Sequence, residues 1–248
     1  MIIIRLMGGL GNQLFIYAFG RALELEHNLD IYFDTYSGFK NDPYRRKLEL
    51  DNFNTKYKKA SLYNILFFPI NKRLKIISKV LYPGSFYIKE DKNFSVDLLK
   101  ELFNKQQKIF LQGYFQNPEY FESIKEELKK EMTLKTELSE SAKIYLELIN
   151  NSNSVAIHIR RKEIKDLIPI DFYLKNIKSL EQKIDKPKFF IFSDDINWCK
   201  KSIPQNEDIV FITYTSNHIE DFWLMKNCKY FIAGNSTFSW WARWLSSF

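Results

Sequence analysis

The chain has 248 residues, 45% hydrophobic and 17% aromatic, with 37 basic against 30 acidic side chains for a net charge of +7. That length suits one large domain or two modest ones, and the composition excludes a disordered, collagen-like or repeat-built chain. The basic excess comes with no dense arginine stripe and no nucleic-acid-binding motif, so no nucleic acid partner is expected. A lysine-rich solvated surface, an anionic membrane surface or a phosphorylated substrate each accounts for it.

The chain opens with Ile2 to Leu6, a short apolar run of the kind buried in parallel sheets. It is too short for a signal peptide and lacks a basic leader, and no stretch approaches the roughly 18 apolar residues of a membrane span. Cys199 and Cys228 have no paired spacing, which argues against a zinc site or a disulfide framework. The expectation is a soluble or membrane-peripheral protein in the cytoplasm, with association at the inner face of the membrane compatible with its charge.

Gly8, Gly9 and Gly11 break the first run, and from Asn12 to about Glu26 apolar residues recur at helical spacing. Ile31–Asp34 reads as the next strand, giving a βαβ start. Positions 35–104 carry no clear pattern. Within them, Asn54–Tyr82 mixes Phe67, Phe68, Ile76 and Ile77 with many lysines, as either a helical excursion on the core or a basic amphipathic surface for a membrane. Ile109–Gly113 reads as a strand, with helices from Pro118 to Glu131 and from Ser139 to Asn150. The polar run Asn150-Asn151-Ser152-Asn153 is the expected domain boundary.

Beyond it, strands at Val155–Ile159, Phe189–Phe192, Ile209–Ile212 and Phe231–Ala233 alternate with helices near Phe172–Gln182, Ile196–Lys201, Ile219–Asn227 and from Thr237. Such alternation predicts a parallel sheet wrapped by helices. From pattern alone the fold class is α/β in two lobes.

Four constellations carry chemistry. Val155–Ile159 ends in Arg160 and Arg161, at the strand end where ligands bind in open α/β sheets. Arginine forks suit phosphate oxygens and stay charged at any working pH. They could neutralise a departing diphosphate, although most Arg-Arg pairs simply flank a surface loop. The second, Ala233-Gly234-Asn235-Ser236-Thr237-Phe238-Ser239, reads as strand, turn and helix N-terminus. There free N–H groups, with Asn235, Ser236, Thr237 and Ser239, can meet an anion or simply cap the helix.

Third, Gly8-Gly9-Leu10-Gly11-Asn12-Gln13-Leu14 resembles a dinucleotide turn, with Asp34 ending the second strand, but Leu14 stands where the third glycine belongs. Gly11, Asn12 and Gln13 suit sugar hydroxyls or phosphate instead. Fourth, Asp194 and Asp195 follow a strand, where they can take a proton, recognise donors or cap the next helix. No Asp-x-Asp occurs in the chain, so no metal site is expected.

Taken together the residues resemble glycosyltransferase family 11, the α-1,2-fucosyltransferases. The likeness runs through Gly8–Phe15, Gln112–Gln116, His158–Arg161, Phe192–Asp195 with Trp198-Cys199, Leu224-Met225 with Cys228, and Asn235–Trp241 with Trp244-Leu245. It implies a GT-B-like fold, with two Rossmann-like lobes facing a cleft. Residues 1–150 would form an acceptor-side lobe with an irregular helical insert, and 151–248 a lobe binding GDP-fucose. It further implies inversion at the anomeric carbon, no cofactor and no obligatory metal. The acceptor would be an oligosaccharide or lipid-linked glycan, commonly a galactose of a surface polysaccharide.

The donor signature assigns the diphosphate to Arg160 and Arg161 and includes His158, which could equally be structural. Glu163, Asp194 and Asp195 are candidate general bases. Two departures stand out: Lys162-Glu163 replaces the family's usual Gly-Asp, and the chain ends at Phe248, where the family normally continues. The absent tail reads as a truncated sequence, a minimal enzyme or an impaired one. The competing classes are a protein O-fucosyltransferase-like enzyme, a non-catalytic nucleotide-sugar binder and a nicotinamide-dependent oxidoreductase.

Overall fold

The computed structural model describes residues 1–66, 85–92, 94–105, 108–162 and 166–248. They divide into two compact units, Met1–Lys135 and Thr136–Phe248.

In the first unit, β1 (Ile2–Arg5) is apolar at consecutive positions because it is a central strand; Ile2, Ile3 and Ile4 are buried. It is hydrogen-bonded to β2 (Ile31–Asp34) on one side and β4 (Lys108–Gln112) on the other, with β3 (Ser85–Lys89) beyond β4. All these pairings are parallel. Helix α1 (Leu10–His27) follows β1 and buries Leu14, Ala18 and Ala22; the leucine is worth about 2 kcal/mol and each alanine less than about 1 kcal/mol. Asn28 ends it in the left-handed region (φ 51°), its N–H donating to Leu23 O. Short α2 (Leu62–Leu66), α3 (Val96–Asn104, capped by Ser95) and α4 (Lys125–Glu131) complete the unit.

One expectation changes here. The helix expected over 118–131 is two 3-10 turns, Pro118–Tyr120 and Glu122–Ile124, followed by α4. Burying Phe121 edge-on to Phe15, 5.9 Å between centroids, takes its backbone out of the helical region at φ −148°. The basic segment read over 54–82 lies outside the described residues from position 67 onward. Within its described part, Lys58 and Lys59 form ion pairs with Asp30 and Asp51 at 2.9 Å.

The second unit has its own parallel sheet in the order β7-β6-β5-β8. Its strands are β5 (Asn153–Ile159), β6 (Pro187–Ser193), β7 (Ile209–Phe211) and β8 (Tyr230–Ala233). Its helices are α5 (Glu140–Asn150), α6 (Ile170–Glu181), α7 (Ile196–Ser202), α8 (His218–Lys226) and α9 (Thr237–Trp244). Strand alternation puts Val155, Ile157 and Ile159 into one core with Tyr173, Ile177 and Cys199. His158 faces the other way, 5.5 Å from the Phe238 ring. The unit boundary falls at 135/136 rather than 150/151. The polar run at 150–153 is only the turn from α5 into β5, and Ser139, the α5 N-cap, donates from N and Oγ to Glu220 of α8.

Among the described residues no helix is long and apolar enough to cross a membrane.

Candidate active site

In the second sheet, β5 leads to β6 and β7 on one side, while β8 returns to its other side. This is a topological switch point, and ligands of open α/β sheets bind beyond the strand ends there. The sheet edge carries Arg160 and Arg161 after β5, Asp194 and Asp195 after β6, and Asn235, Ser236 and Thr237 after β8. Residues distant in sequence, such as Arg161 and Asp194 at 33 positions, thus share one edge, because β5 lies between β6 and β8.

The arginines are held by specific contacts. Asp194 Oδ1 accepts the Arg161 N–H (2.8 Å) and its Oδ2 the Lys162 N–H (3.1 Å), clamping the chain as it leaves β5. Arg160 Nε donates to Lys162 O (3.2 Å) and lies 3.9 Å from Asp194 Oδ2. The Arg161 guanidinium sits over the Trp198 ring, 3.8 Å from its centroid. Half-exposed, oriented cations of this kind stabilise an anion at little reorganisation cost.

The expected pair of carboxylates does not act as a pair. Asp195 Oδ1 accepts the Trp198 N–H (3.1 Å) and caps α7, while Asp194 braces the arginine loop. Asp195, expected as a general base, therefore holds a helix end; the capping reading is the one its geometry fits. Glu163, a further candidate base, lies outside the described residues.

At β8, Ser236 is the N-cap residue of α9 without a side-chain cap, so the first N–H groups of that helix carry no cap from it. Asn235 donates to Asp166 O (3.4 Å), tying the turn to the segment before α6. Thr237 is the first residue of α9 and half-buried. Ser239 departs from expectation: it is fully buried and its Oγ donates to Ser236 O, which makes it an internal helix contact instead of a ligand group.

His158 is buried, and its Nδ1 has no hydrogen-bond partner among the described residues. Burial first, and then the Arg160 charge, lowers its pKa to about 4 against a smaller opposing effect of Asp194. It is a neutral imidazole at pH 7 lying behind the arginines.

The glycine turn belongs to the first unit, where β1 is flanked by β2 and β4. Gly8 adopts φ +78°, a conformation that side chains rarely take. Gly11 is buried in the first turn of α1. Asn12 Oδ1 accepts from Gln116 Nε2 (2.9 Å), which joins two of the sequence blocks. Gln13 is not available to a ligand. Fully buried, it donates to Gly8 O and Lys47 O and accepts the Glu49 N–H, each at 2.8 Å, stapling the loop after β2 to the glycine turn. Asp34, buried at the end of β2, accepts the N–H groups of Tyr36 and Ser37 and the Ser37 hydroxyl. It is thus spent on its own loop, which removes the acidic residue that a nicotinamide reading requires.

Sequence reasoning placed Trp198 in a block of the family resemblance but missed it as the platform for Arg161. It also missed the basic loop after β2, whose residues lie in the stretch without periodicity.

Two α/β units, each built on a parallel sheet, with paired arginines at a strand end, fit a glycosyltransferase that handles a nucleotide sugar. The family model described as "Glycosyl transferase family 11" matches residues 1–247, and the chain belongs to that family. The Alpha-1,2-colitosyltransferase of Escherichia coli is 32% identical over 270 residues, covering 100% of this chain and 88% of that protein. The Galactoside 2-alpha-L-fucosyltransferase SEC1 of Bos taurus is 27% identical over 155 residues, covering 56% of this chain and 42% of that one. Among solved structures, an Arabidopsis thaliana FUT1 mutant in complex with GDP superposes with a TM-score of 0.58 at 11% identity, covering 98% of this chain and 68% of that chain. At that identity the likeness concerns the fold, which is GT-B-like.

Proposed function

We propose that this glycosyltransferase takes GDP-L-fucose as donor and transfers L-fucose, with inversion and without an obligatory metal, to the 2-hydroxyl of a galactose residue on a surface glycan. The observation that carries this is the strand-end cluster of Arg160 and Arg161, braced by Asp194 and Trp198 beside the N-terminus of α9. It supplies oriented positive charge for a diphosphate.

In the reaction the acceptor oxygen attacks the anomeric carbon as the bond from that carbon to the β-phosphate oxygen breaks. The bonding electrons pass to the phosphate, and Arg160, Arg161 and the α9 N–H groups stabilise that growing charge; one such donor is worth about 3 kcal/mol. The acceptor proton passes to a carboxylate, and Glu163 is the candidate for that role. His158, neutral and buried, supports the arginine strand from behind.

A second donor has support from the 32% identity to a colitosyltransferase over the whole chain. Colitose is L-fucose without its 3-hydroxyl, so the two GDP sugars differ at one hydrogen-bonding group. A site built to bond that hydroxyl discriminates strongly against the analogue lacking it. The deciding experiment is product analysis after incubation with GDP-L-fucose, GDP-colitose or GDP-mannose and a β-galactoside, with and without EDTA. An α-1,2-linked fucosyl product insensitive to EDTA supports the reading. A colitosyl product alone reassigns the donor, and binding of GDP-sugar without any transfer makes the chain a binder.

A further inference from the structure

The loop after β2 forms a groove of about 470 Å³ within the first unit. Its walls include Tyr36, Lys40, Arg45, Arg46 and Lys47, with Asp42 as the acidic member. Four cations face one carboxylate, and that carboxylate is occupied. Asp42 Oδ1 accepts the N–H groups of Tyr44 (2.9 Å) and Arg46 (3.2 Å), and Oδ2 lies 4.0 Å from the Arg46 guanidinium.

The groove is preformed. Arg5 donates to Ser37 O at 2.7 Å, Asp34 holds the N–H groups of Tyr36 and Ser37, and Gln13 holds Lys47 O and Glu49 N–H. Gly38 lies so close to Leu6 that an added Cβ would stand 1.9 Å from its carbonyl oxygen. Arg45 is held at φ 55°, a conformation that glycine or asparagine adopts more readily. The Arg46 guanidinium sits over the Tyr44 ring at 4.4 Å and reaches the glycine turn, its Nε lying 3.8 Å from where a Gly9 Cβ would be. Tyr36 is about half exposed (49%), with the Lys40 ammonium 5.7 Å from its ring centroid. A rigid concavity of this size suits one or two sugar rings. An exposed tyrosine offers a ring to stack on, and clustered Arg and Lys offer an oxyanion partner.

We propose that this groove is a subsite for a negatively charged acceptor glycan, binding a phosphoryl or carboxylate group carried by the sugar next to Tyr36. It deepens the function proposed above, since it makes the first unit the acceptor-binding unit.

The test is calorimetric titration of the full chain, in the presence and absence of saturating GDP, with galactose 1-phosphate, galacturonate and galactose. The anionic sugars are expected to bind at least about tenfold more tightly than galactose, and the tighter of the two names the anion. Lys40→Ala combined with Lys47→Ala should weaken the anionic sugars about tenfold. Lys129→Ala with Lys130→Ala, the same loss of charge on α4, should not. Equal affinity for galactose and its anionic relatives, or equal weakening by the two double variants, overturns the proposal. The GDP titration of the same protein reads the donor site separately: loss of GDP binding with retained sugar binding refutes the donor reading alone.

Discussion

The Arg161 guanidinium rests over the indole of Trp198, 3.8 Å from the ring centroid, and the N–H of Trp198 is in turn held by Asp195. One helix start therefore fixes both the carboxylate that follows β6 and the cation that follows β5. Trp198→Ala removes the platform but leaves the charge. A cation–π contact at a half-exposed site is worth about 1 kcal/mol, so GDP affinity should fall about fivefold. Titration of the variant with GDP checks this.

Asp194 ties down the chain just beyond Arg160 through two backbone N–H groups. Asparagine offers one acceptor oxygen in place of two, so Asp194→Asn should release one of them and loosen the arginines. The expected outcome is a kcat lower by about tenfold to a hundredfold, the scale of a mispositioned oriented group. The melting temperature should change by only a few degrees, because the site is half-exposed.

His158 carries a pH signature. Its pKa falls from an unfolded value of 6.5 to about 4, so the folded state favours the neutral ring. The resulting stability is complete above pH 6.5 and is lost as the pH falls toward 4, with about 2 kcal/mol of it already lost at pH 5. In His158→Leu that part of the acid sensitivity should vanish. Melting temperatures at pH 7.5 and pH 5 in both proteins give the comparison, and a larger drop in the wild type is expected.

In the first unit, Glu131 is buried, bonded bidentately by Arg21 (3.1 and 2.7 Å) and also by the Tyr17 hydroxyl. Burial and the Glu131 contacts push the Tyr17 pKa well above its ordinary value. Glu131→Ala takes the bidentate partner from the Arg21 guanidinium but leaves its ion pair with Glu24, so the cost is about 1–3 kcal/mol, below that of an unpaired buried charge. A chemical denaturation curve should show that loss, while GDP binding assigned to the second unit should persist wherever the protein remains folded.

Much of this was legible in the sequence, for physical reasons. Central strands are covered on both faces, so β1, β4, β5 and β6 announce themselves as uninterrupted apolar runs. Helices α5 to α9 follow from apolar spacing and from caps such as Ser139 and Asp195. β3 was missed because it is an edge strand with a half-buried pattern. The unit boundary was misplaced because a polar helix-to-strand turn and a linker have the same composition.

The site was legible as a set of strand ends but not as a set of contacts. Parallel pairing brings Arg160, Arg161, Asp194 and Asn235 to one edge, a consequence of strand order. That Ser239 and Gln13 are buried, and that Asp195 caps a helix, depends on side-chain direction, which motif spacing does not encode. The basic groove was hidden because a loop held by Asx-type contacts, a close-packed glycine and one buried glutamine has no periodicity.

The most direct test of the account is GDP affinity in wild type and Arg160→Ala, measured by titration calorimetry and accompanied by a far-ultraviolet circular dichroism spectrum. The account predicts an unchanged spectrum and an affinity lower by at least about tenfold, because a charge-assisted contact to phosphate is removed. Wild-type affinity in the variant would contradict the placement of the diphosphate at the end of β5.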